Sequence, residues 1–542
     1  AYHGEGYLDL GGVGGQAEGP VGKGSFLVAA RRAHLDLPLR VVGLVNPWSV
    51  SIVPTYYDYQ AFYDRPLGRG RSLHVGFIGA GDRLAFKESP KSERDPLSSR
   101  KSLFEPRISF HRVDLAYRAK LGDTAVLLTP ALRVDTNRVV IETNPDFEPA
   151  PRRSLVSTLR AQLDHALTET LTLTLGADAE LGRQTGEVRD EPESSFGQVV
   201  NGAAGTSNTT SMDHVYLGLY GEAVLRRRGL MLAAGTRFSA LTAEGTNGFA
   251  VDPRLRVRQE LGERWILSGG VGLYAQPWVG VTGVSGGALS NNYFYGTRLV
   301  LPDQIVNNYD PTLERYEGNI RMAQALHATA GAALHLAEDV EIEAHGFFRE
   351  LYDPHRPQRG TDNPSERAFG GEFIVRKRLT RRLYGWVAYT LLWAQQAYRT
   401  SDGGTVYDTG LFDQRHNLVA VLSARLPRDW QVGGRFRVSS GLPYTPVVGA
   451  VGGSPAGYLP ADEFEPIFGF PLSARFPLFQ QLDLRVDKRW IRKRTIVTAY
   501  LDVLNVLNHQ NTEAYVYNVD YSRPVQRIGL PILPLLGVRV EI

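Results

Sequence analysis

Apolar and polar residues alternate one by one along most of this chain, and few folds accommodate such a period over 542 residues. Successive side chains of a β-strand point to opposite faces, so a period of two indicates strands with one apolar face and one polar face. At a helical period the same charges would surround the cylinder. One clear segment has Leu171, Leu173, Leu175, Ala177, Ala179 and Leu181 at odd positions, and Thr172, Thr174, Gly176, Asp178 and Glu180 at even positions.

The connections between these segments alternate in length. Short turns occur near residues 21–23, 68–70, 121–123, 427–429 and 491–493, whereas long polar segments lie at about 81–106, 183–211, 277–320, 396–411 and 443–476. Outer-membrane barrels have short periplasmic turns and long extracellular loops. The sequence therefore predicts an all-β fold, a transmembrane antiparallel up-and-down β-barrel.

Composition narrows the alternatives. No stretch approaches the roughly 18–20 continuous apolar residues that a membrane helix needs, which excludes a helical membrane protein. Aromatic residues make up 10% of the chain, as two interfacial girdles require. The chain has no cysteine, which removes disulfides and thiolate metal sites from consideration. A net charge of +3 gives no reason to expect a nucleic-acid partner.

The number of alternating segments suggests where the chain sits in a larger protein. We count 21 predicted strands, the first at residues 7–20 and the last at 534–542. Bacterial single-chain barrels have an even strand number, so the pattern predicts about 22 strands with the first one lying upstream. We expect one barrel domain over residues 1–542. Because lumens of this size are normally plugged, we also expect something to fill this one. An N-terminal plug domain upstream is the first expectation, and a separate plug chain or a folded-in loop are the alternatives.

Several stretches resemble the barrel region of TonB-dependent outer-membrane receptors. They are residues 18–28 near the start, the run Phe412-Asp413-Gln414-Arg415-His416-Asn417, the run Ser440-Gly441-Leu442-Pro443-Tyr444-Thr445-Pro446, and residues 481–487 and 500–508. The resemblance implies a receptor in the bacterial cell outer membrane that takes up a scarce, bulky ligand of the siderophore, saccharide or peptide class. It also implies a plug domain and a TonB-type energy-coupling protein as partners.

Two long loops contain candidate ligand-binding residues. Amide and aromatic side chains can hydrogen-bond and stack on a sugar, siderophore or peptide, but loop aromatics can equally pack on neighbouring loops. The candidates are Asn291, Asn292, Tyr293, Phe294 and Tyr295 in one loop and Tyr444 and Tyr458 in a later one, with Phe464 and Phe468 nearby.

The polar faces of the predicted strands carry many charges. We expect Arg254, Arg256, Arg258, Arg435, Arg437, Asp483 and Arg485 to face the lumen. Such charges could pair along the wall and contact a plug, or they could line a path for an anionic substrate. Inside a wide, wet barrel either arrangement costs little.

No catalytic or metal centre is expected. Residues 283–287 match the nucleophile-elbow pattern around Ser285, but no helix follows as that motif requires. Glu343 and His345 would share a strand face, yet two ligands without a third make a poor metal site. We therefore predict a non-enzyme without cofactor or metal.

Two functional classes remain open. One is the receptor and transporter described above; the other is a structural barrel that scaffolds partner proteins in the outer membrane. In both cases the lipid bilayer and its lipopolysaccharide are expected partners.

Overall fold

The computed structural model describes residues 1–35, 52–86, 104–141, 152–189, 207–243, 246–276, 282–284, 296–299, 322–352, 365–380, 382–399, 402, 404–452, 464–517 and 521–542. No helix within these residues is long and apolar enough to cross a membrane. The strands are β1 His3–Asp9, β2 Gly12–Val21, β3 Gly24–Ala33, β4 Ile52–Gly68, β5 Arg71–Phe86, β6 Phe104–Leu121, β7 Thr124–Ile141, β8 Arg152–Ala166, β9 Leu171–Arg189, β10 Ser207–Arg227, β11 Leu230–Ala243, β12 Thr246–Leu261, β13 Trp265–Gln276, β14 Thr282–Val284, β15 Gly296–Leu299, β16 Ala323–Ala337, β17 Val340–Tyr352, β18 Ser365–Lys377, β19 Leu383–Arg399, β20 Thr405–Thr409, β21 His416–Leu426, β22 Trp430–Ser439, β23 Pro443–Tyr444, β24 Val447–Gly452, β25 Phe464–Phe468, β26 Ala474–Arg475, β27 Phe479–Ile491, β28 Ile496–Leu504, β29 Thr512–Tyr517, β30 Pro524–Ile528 and β31 Leu533–Glu541.

The large sheet closes on itself. It contains 23 of these strands, but β20 and β21 both pair with β19 and share one position, which leaves 22 positions around the barrel. Apart from β20, each strand of this sheet pairs antiparallel with the next strand of the same sheet along the chain, and β1 pairs with β31 to close the barrel. The four remaining pairs, β14–β15, β23–β26, β24–β25 and β29–β30, form separate two-stranded sheets. The predicted closed up-and-down barrel is confirmed.

The strand that the sequence count lacked is present in the chain. The expected single strand over residues 7–20 is wrong, because a turn at Leu10 and Gly11 divides this segment into β1 and β2. The carboxylate of Asp9 stabilises that turn by accepting a hydrogen bond from the Gly11 amide at 2.7 Å. The expectation that the first strand lies upstream is therefore also wrong. Whether a plug precedes the barrel stays a prediction.

The alternation produces two distinct barrel faces. Leu175 and Leu181 on β9, and Leu217 and Leu219 on β10, are 49–61% exposed although they are large and apolar. They share the outer face, where such exposure fits contact with lipid. The side chains at intervening positions, including Asp178 and Tyr220, lie on the inner face and form polar contacts with adjacent strands.

The two rims of the barrel differ. Both termini and the short turns lie at one rim, which we call the turn rim; there Gly4 and Ile542 exchange backbone hydrogen bonds of 2.8 and 3.0 Å. Gly22 and Gly122 form turns with φ of 57° and 61°, a left-handed conformation that glycine adopts without strain. Most connections at the opposite rim, the loop rim, are long. The wall height also varies, since β1 has 7 residues and β10 has 21.

We call the junction of β1 and β31 the seam. In addition to the backbone pairing, one side-chain hydrogen bond crosses it. The Tyr500 hydroxyl on β28 donates to Asp9 Oδ2 on β1 at 2.6 Å and crosses over β31 at Gly537. A Cβ at Gly537 would lie 2.4 Å from Tyr500 Cζ, so only glycine leaves room for this ring.

The first prediction concerns this bond. We expect Tyr500→Phe to lower the free energy of unfolding by about 2 kcal/mol, because a buried hydrogen bond to a charged group is lost. Urea titration of the protein in lipid vesicles measures the change. Tyr57→Phe is the control, since that ring is 42% exposed on the outer face. Equal stability of the two variants would contradict a fastening role for Tyr500.

Candidate functional site

The inner wall is charged, and its charges are arranged in register. Arg435 on β22 lies directly opposite Asp483 on β27, and their side chains form an ion pair at 2.6 Å. Arg437 lies opposite Gln481 and donates to its Oε1 at 2.9 Å. Gln481 in turn donates to Asp483 Oδ1 at 2.7 Å. The two predicted arginines are therefore held by one continuous chain of polar contacts.

Arg485 on β27 forms a second group of contacts closer to the seam. Its guanidinium pairs with Asp487 at 2.9 Å and with Asp502 on β28 at 3.4 Å. It also lies 4.0 Å from the centroid of the Tyr500 ring, whose hydroxyl contacts Asp9. Charges on β22, β27, β28 and β1 thus form two neighbouring groups of contacts along the inner wall.

The three arginines of β12 have different surroundings. Arg256 contacts both carboxylate oxygens of Glu222, at 2.7 and 2.9 Å, and Arg258 contacts Glu260 at 2.5 Å. Arg254 lies 3.9 Å from the buried Asp252, and its guanidinium stacks 4.3 Å from the Tyr274 ring centroid. Arg254 is therefore the most weakly paired of these three within the contacts described.

A further cluster on the same wall was not predicted from the sequence. Asp178 on β9 accepts from Arg160 on β8 and from Arg237, two strands away on β11, both at 2.6 Å. Arg237 also donates to the Tyr216 hydroxyl at 3.0 Å. Alternation placed Asp178 on the polar face, but the link across β10 depends on Gly218, whose missing side chain leaves room for the Arg237 guanidinium.

The seven predicted lumen residues thus lie on the polar inner face. Most of their charge is balanced by a group on the same or a neighbouring strand, which fits a wall that stays hydrated with little net charge. Contact with a plug or with a transported ligand stays a prediction.

A buried carboxylate organises the loop rim. Asp413 is fully buried, and it accepts hydrogen bonds from Arg415 at 3.1 Å, from Arg475 at 2.7 Å and from the Ala394 amide at 3.1 Å. Arg475 belongs to β26, so this carboxylate connects two loops that are 62 residues apart in sequence. Arg415 also stacks 4.9 Å from the Trp393 ring centroid.

Tyr444 belongs to an aromatic cluster beside this carboxylate. Its ring stacks on Phe476 at 4.6 Å and lies 5.2 Å from Tyr515. Burial, and to a smaller extent the phenol of Tyr515, raise the pKa of Tyr444. Gly441 permits this packing, since a Cβ there would lie 1.7 Å from the Phe476 carbonyl oxygen. Tyr444 therefore has the loop-packing contacts that were the alternative to ligand binding, and its ligand role stays a prediction.

The remaining loop candidates fall elsewhere. Asn291, Asn292, Tyr293, Phe294, Tyr295, Tyr458 and Ser285 lie outside the described residues. Phe464 and Phe468 lie on β25 in a separate hairpin. His345 Nε2 is 3.3 Å from Glu343 Oε2, and no group of three potential metal ligands occurs among the described residues.

A second polar network that was not predicted from the sequence lies where β28 ends, near the seam. Beyond β28 the chain leaves the sheet at Asn505, which is fully buried and has a φ of 50°. Its side-chain amide donates to the carbonyl oxygens of His509 and Leu530, at 3.0 and 2.9 Å, and its Oδ1 accepts from the His509 amide. Asn508 and Asn511 provide similar bonds to Ile532 and Gln480. These side chains replace the partners that the backbone loses where the strands stop.

A closed barrel with an apolar outer face, a charged inner face and one rim of long loops defines an outer-membrane β-barrel protein. The sequence matches no protein-family model and no curated protein.

Transport proteins are among the solved structures that have a similar fold. The FrpB iron transporter from Neisseria meningitidis has a TM-score of 0.65 at 13% identity, over 100% of this chain and 81% of that one. The ferric citrate transporter FecA has a TM-score of 0.67 at 13% identity, over 100% and 78%. The ferripyoverdine receptor of the Pseudomonas aeruginosa outer membrane has a TM-score of 0.65 at 12% identity, over 100% and 72%. This barrel therefore has the fold of TonB-dependent outer-membrane receptors.

Proposed function

We propose that this barrel belongs to an uptake receptor that brings a scarce, bulky ligand across the outer membrane. The single observation that carries the proposal is the closed barrel of 22 positions. Lumens of this size are wide enough for such a ligand and are plugged in outer-membrane transporters. The charged inner wall supports the proposal because it offers a plug many polar partners.

The names of the structural neighbours support one ligand class. The solved structures above are named for iron, ferric citrate and ferripyoverdine, so a ferric chelate of the siderophore class is our first choice. Saccharides and peptides are the other classes that the loop composition suits. Coupling would then need an upstream plug and a TonB-type partner protein in the periplasm.

The test uses the complete protein in its own cells. We expect deletion of the gene to reduce uptake of at least one labelled ferric siderophore by 10-fold or more, and re-expression of the complete gene to restore it. We also expect the intact mass of the native protein to exceed the 59.9 kDa of this chain by the mass of a plug.

A control separates coupling from assembly. A version cut back to residue 1 of this chain should still reach the outer membrane, as judged by its heat-modifiable mobility in gels, but should not restore energy-dependent uptake. Unchanged uptake after deletion, together with stable co-purifying protein chains, would favour the scaffold function instead.

A further inference from the structure

An arginine-rich surface lies on the outer face of the barrel near the loop rim. Arg83 on β5, Arg107 on β6 and Arg138 on β7 are direct register partners in one row across three neighbouring strands. One row closer to the turn rim, Arg32 on β3 and Arg153 on β8 flank the same sector. We call these five residues the arginine patch.

The register fixes the direction in which the patch points. Phe77, Val113 and Leu132 are 42–46% exposed on the outer face, and each lies six residues along its strand from Arg83, Arg107 or Arg138, respectively. Six is an even number, and no register shift interrupts these pairings. The arginines therefore share the lipid-facing side with those apolar residues rather than the inner wall.

Nearby aromatic and polar residues indicate the position of the patch relative to the membrane–water interface. Tyr59 on β4 and His111 on β6 are hydrogen-bonded at 2.5 Å across Gly79, on the outer face and four residues below the upper arginine row. Tyrosines at such positions lie at the membrane–water interface. Four residues of a tilted strand rise about 10 Å, so the upper arginines lie at the level of the lipid headgroups.

The two rows carry only one sign of charge. The row nearer the loop rim contains Thr55, Arg83, Arg107 and Arg138. The row nearer the turn rim contains Arg32, Tyr57, Gly81, Ser109, Thr136 and Arg153. Paired residues on neighbouring strands lie about 5 Å apart, and like charges placed so close repel each other. Arg83, Arg107 and Arg138 each also interact with another group of the protein.

We infer that the arginine patch binds the phosphate groups of lipopolysaccharide in the outer leaflet. Guanidinium groups bind phosphate oxygens through two parallel hydrogen bonds, and several arginines at this spacing can share the phosphates of one headgroup. The acyl chains of the same molecule would then lie on the apolar residues below. This inference is independent of the proposed transport function.

The test measures lipid retained by the complete protein after purification from outer membranes in mild detergent. We expect wild-type protein to retain about one lipopolysaccharide by native mass spectrometry, and the R83Q/R107Q/R138Q variant to retain at least 10-fold less. The control R69Q/R228Q/R428Q removes the same charge from residues of the turn rim, and we expect it to retain lipid as wild type does. Equal retention by the patch variant and the control would overturn the inference.

Competition distinguishes the lipid source and does not depend on the folding of any variant. Lipid A bearing its phosphates should displace the lipid bound to wild-type protein, whereas dephosphorylated lipid A should be at least 10-fold weaker. Displacement by dephosphorylated lipid A at the same concentration would show that acyl chains alone are bound. Equal displacement by phosphatidylglycerol would show a general anionic-lipid surface. Either result would overturn the assignment to lipopolysaccharide phosphate.

Discussion

Replacing Asp413 by alanine is expected to destabilise the loop rim more than any other single change among the contacts described. The carboxylate is fully buried and holds Arg415 and Arg475, so its removal leaves two guanidinium groups facing each other without an anion. Breaking a buried ion pair by removing one partner costs about 3–5 kcal/mol. Because both arginines are about one-third exposed, we expect the lower end, about 3 kcal/mol.

The effect should be local as well as global. We expect the segments around Arg475 and Gly441, which both contact this site, to lose hydrogen-exchange protection in the Asp413→Ala variant. Asp408→Ala is the matched control, since Asp408 is exposed and accepts only from the Thr409 amide within the contacts described. Its free energy of unfolding should change by less than about 0.5 kcal/mol. Similar exchange profiles for the two variants would show that Asp413 does not connect these loops.

Replacing Asn505 by alanine is expected to have the second largest effect. The side chain is fully buried, and its loss would leave the carbonyls of His509 and Leu530 and the amide of His509 without this partner. Each buried polar group left unsatisfied costs about 1–3 kcal/mol, so we expect about 3 kcal/mol after partial relaxation. Asn505 also tolerates its left-handed backbone better than alanine does.

Gln510→Ala provides the comparison. Gln510 is an exposed amide in the same turn, and we expect its removal to change stability by less than about 0.5 kcal/mol. Urea unfolding in lipid vesicles, followed by tryptophan fluorescence, measures both variants. If Asn505→Ala unfolds at the same urea concentration as Gln510→Ala, the backbone of this turn must find other partners.

The parts of the structure that the sequence predicts are those governed by a local period. Alternation identifies the polar face of β22 and β27 and therefore the face on which Arg435 and Asp483 lie, because side-chain direction depends only on parity along a strand. The division of residues 7–20 into β1 and β2 could not be predicted in this way. The turn at Leu10 and Gly11 lies in a glycine-rich segment with few apolar residues, so no break in the alternation marks it.

The site features that were missed depend on contacts between distant segments. Asp413 gains its burial from Arg475, and Asn505 bonds to Leu530, so neither role is visible in a local pattern. The sequence shows the charges of Arg83, Arg107 and Arg138, but it does not predict that these residues lie in one row. That alignment follows from the register of three strands, which turn lengths and side-chain packing set together.

Because the strands differ in length, the loop rim of the barrel lies at different heights around its circumference. At ~3.3 Å per residue and a tilt of roughly 40°, a strand of 21 residues spans about 50 Å of height and one of 7 residues about 18 Å. The strand wall near β10 therefore extends much further from the turn rim than the wall near the seam does. Because the hairpin of β29 and β30 also lies at the loop rim beside the seam, this rim consists of long barrel strands on one side and of a separate two-stranded sheet on the other.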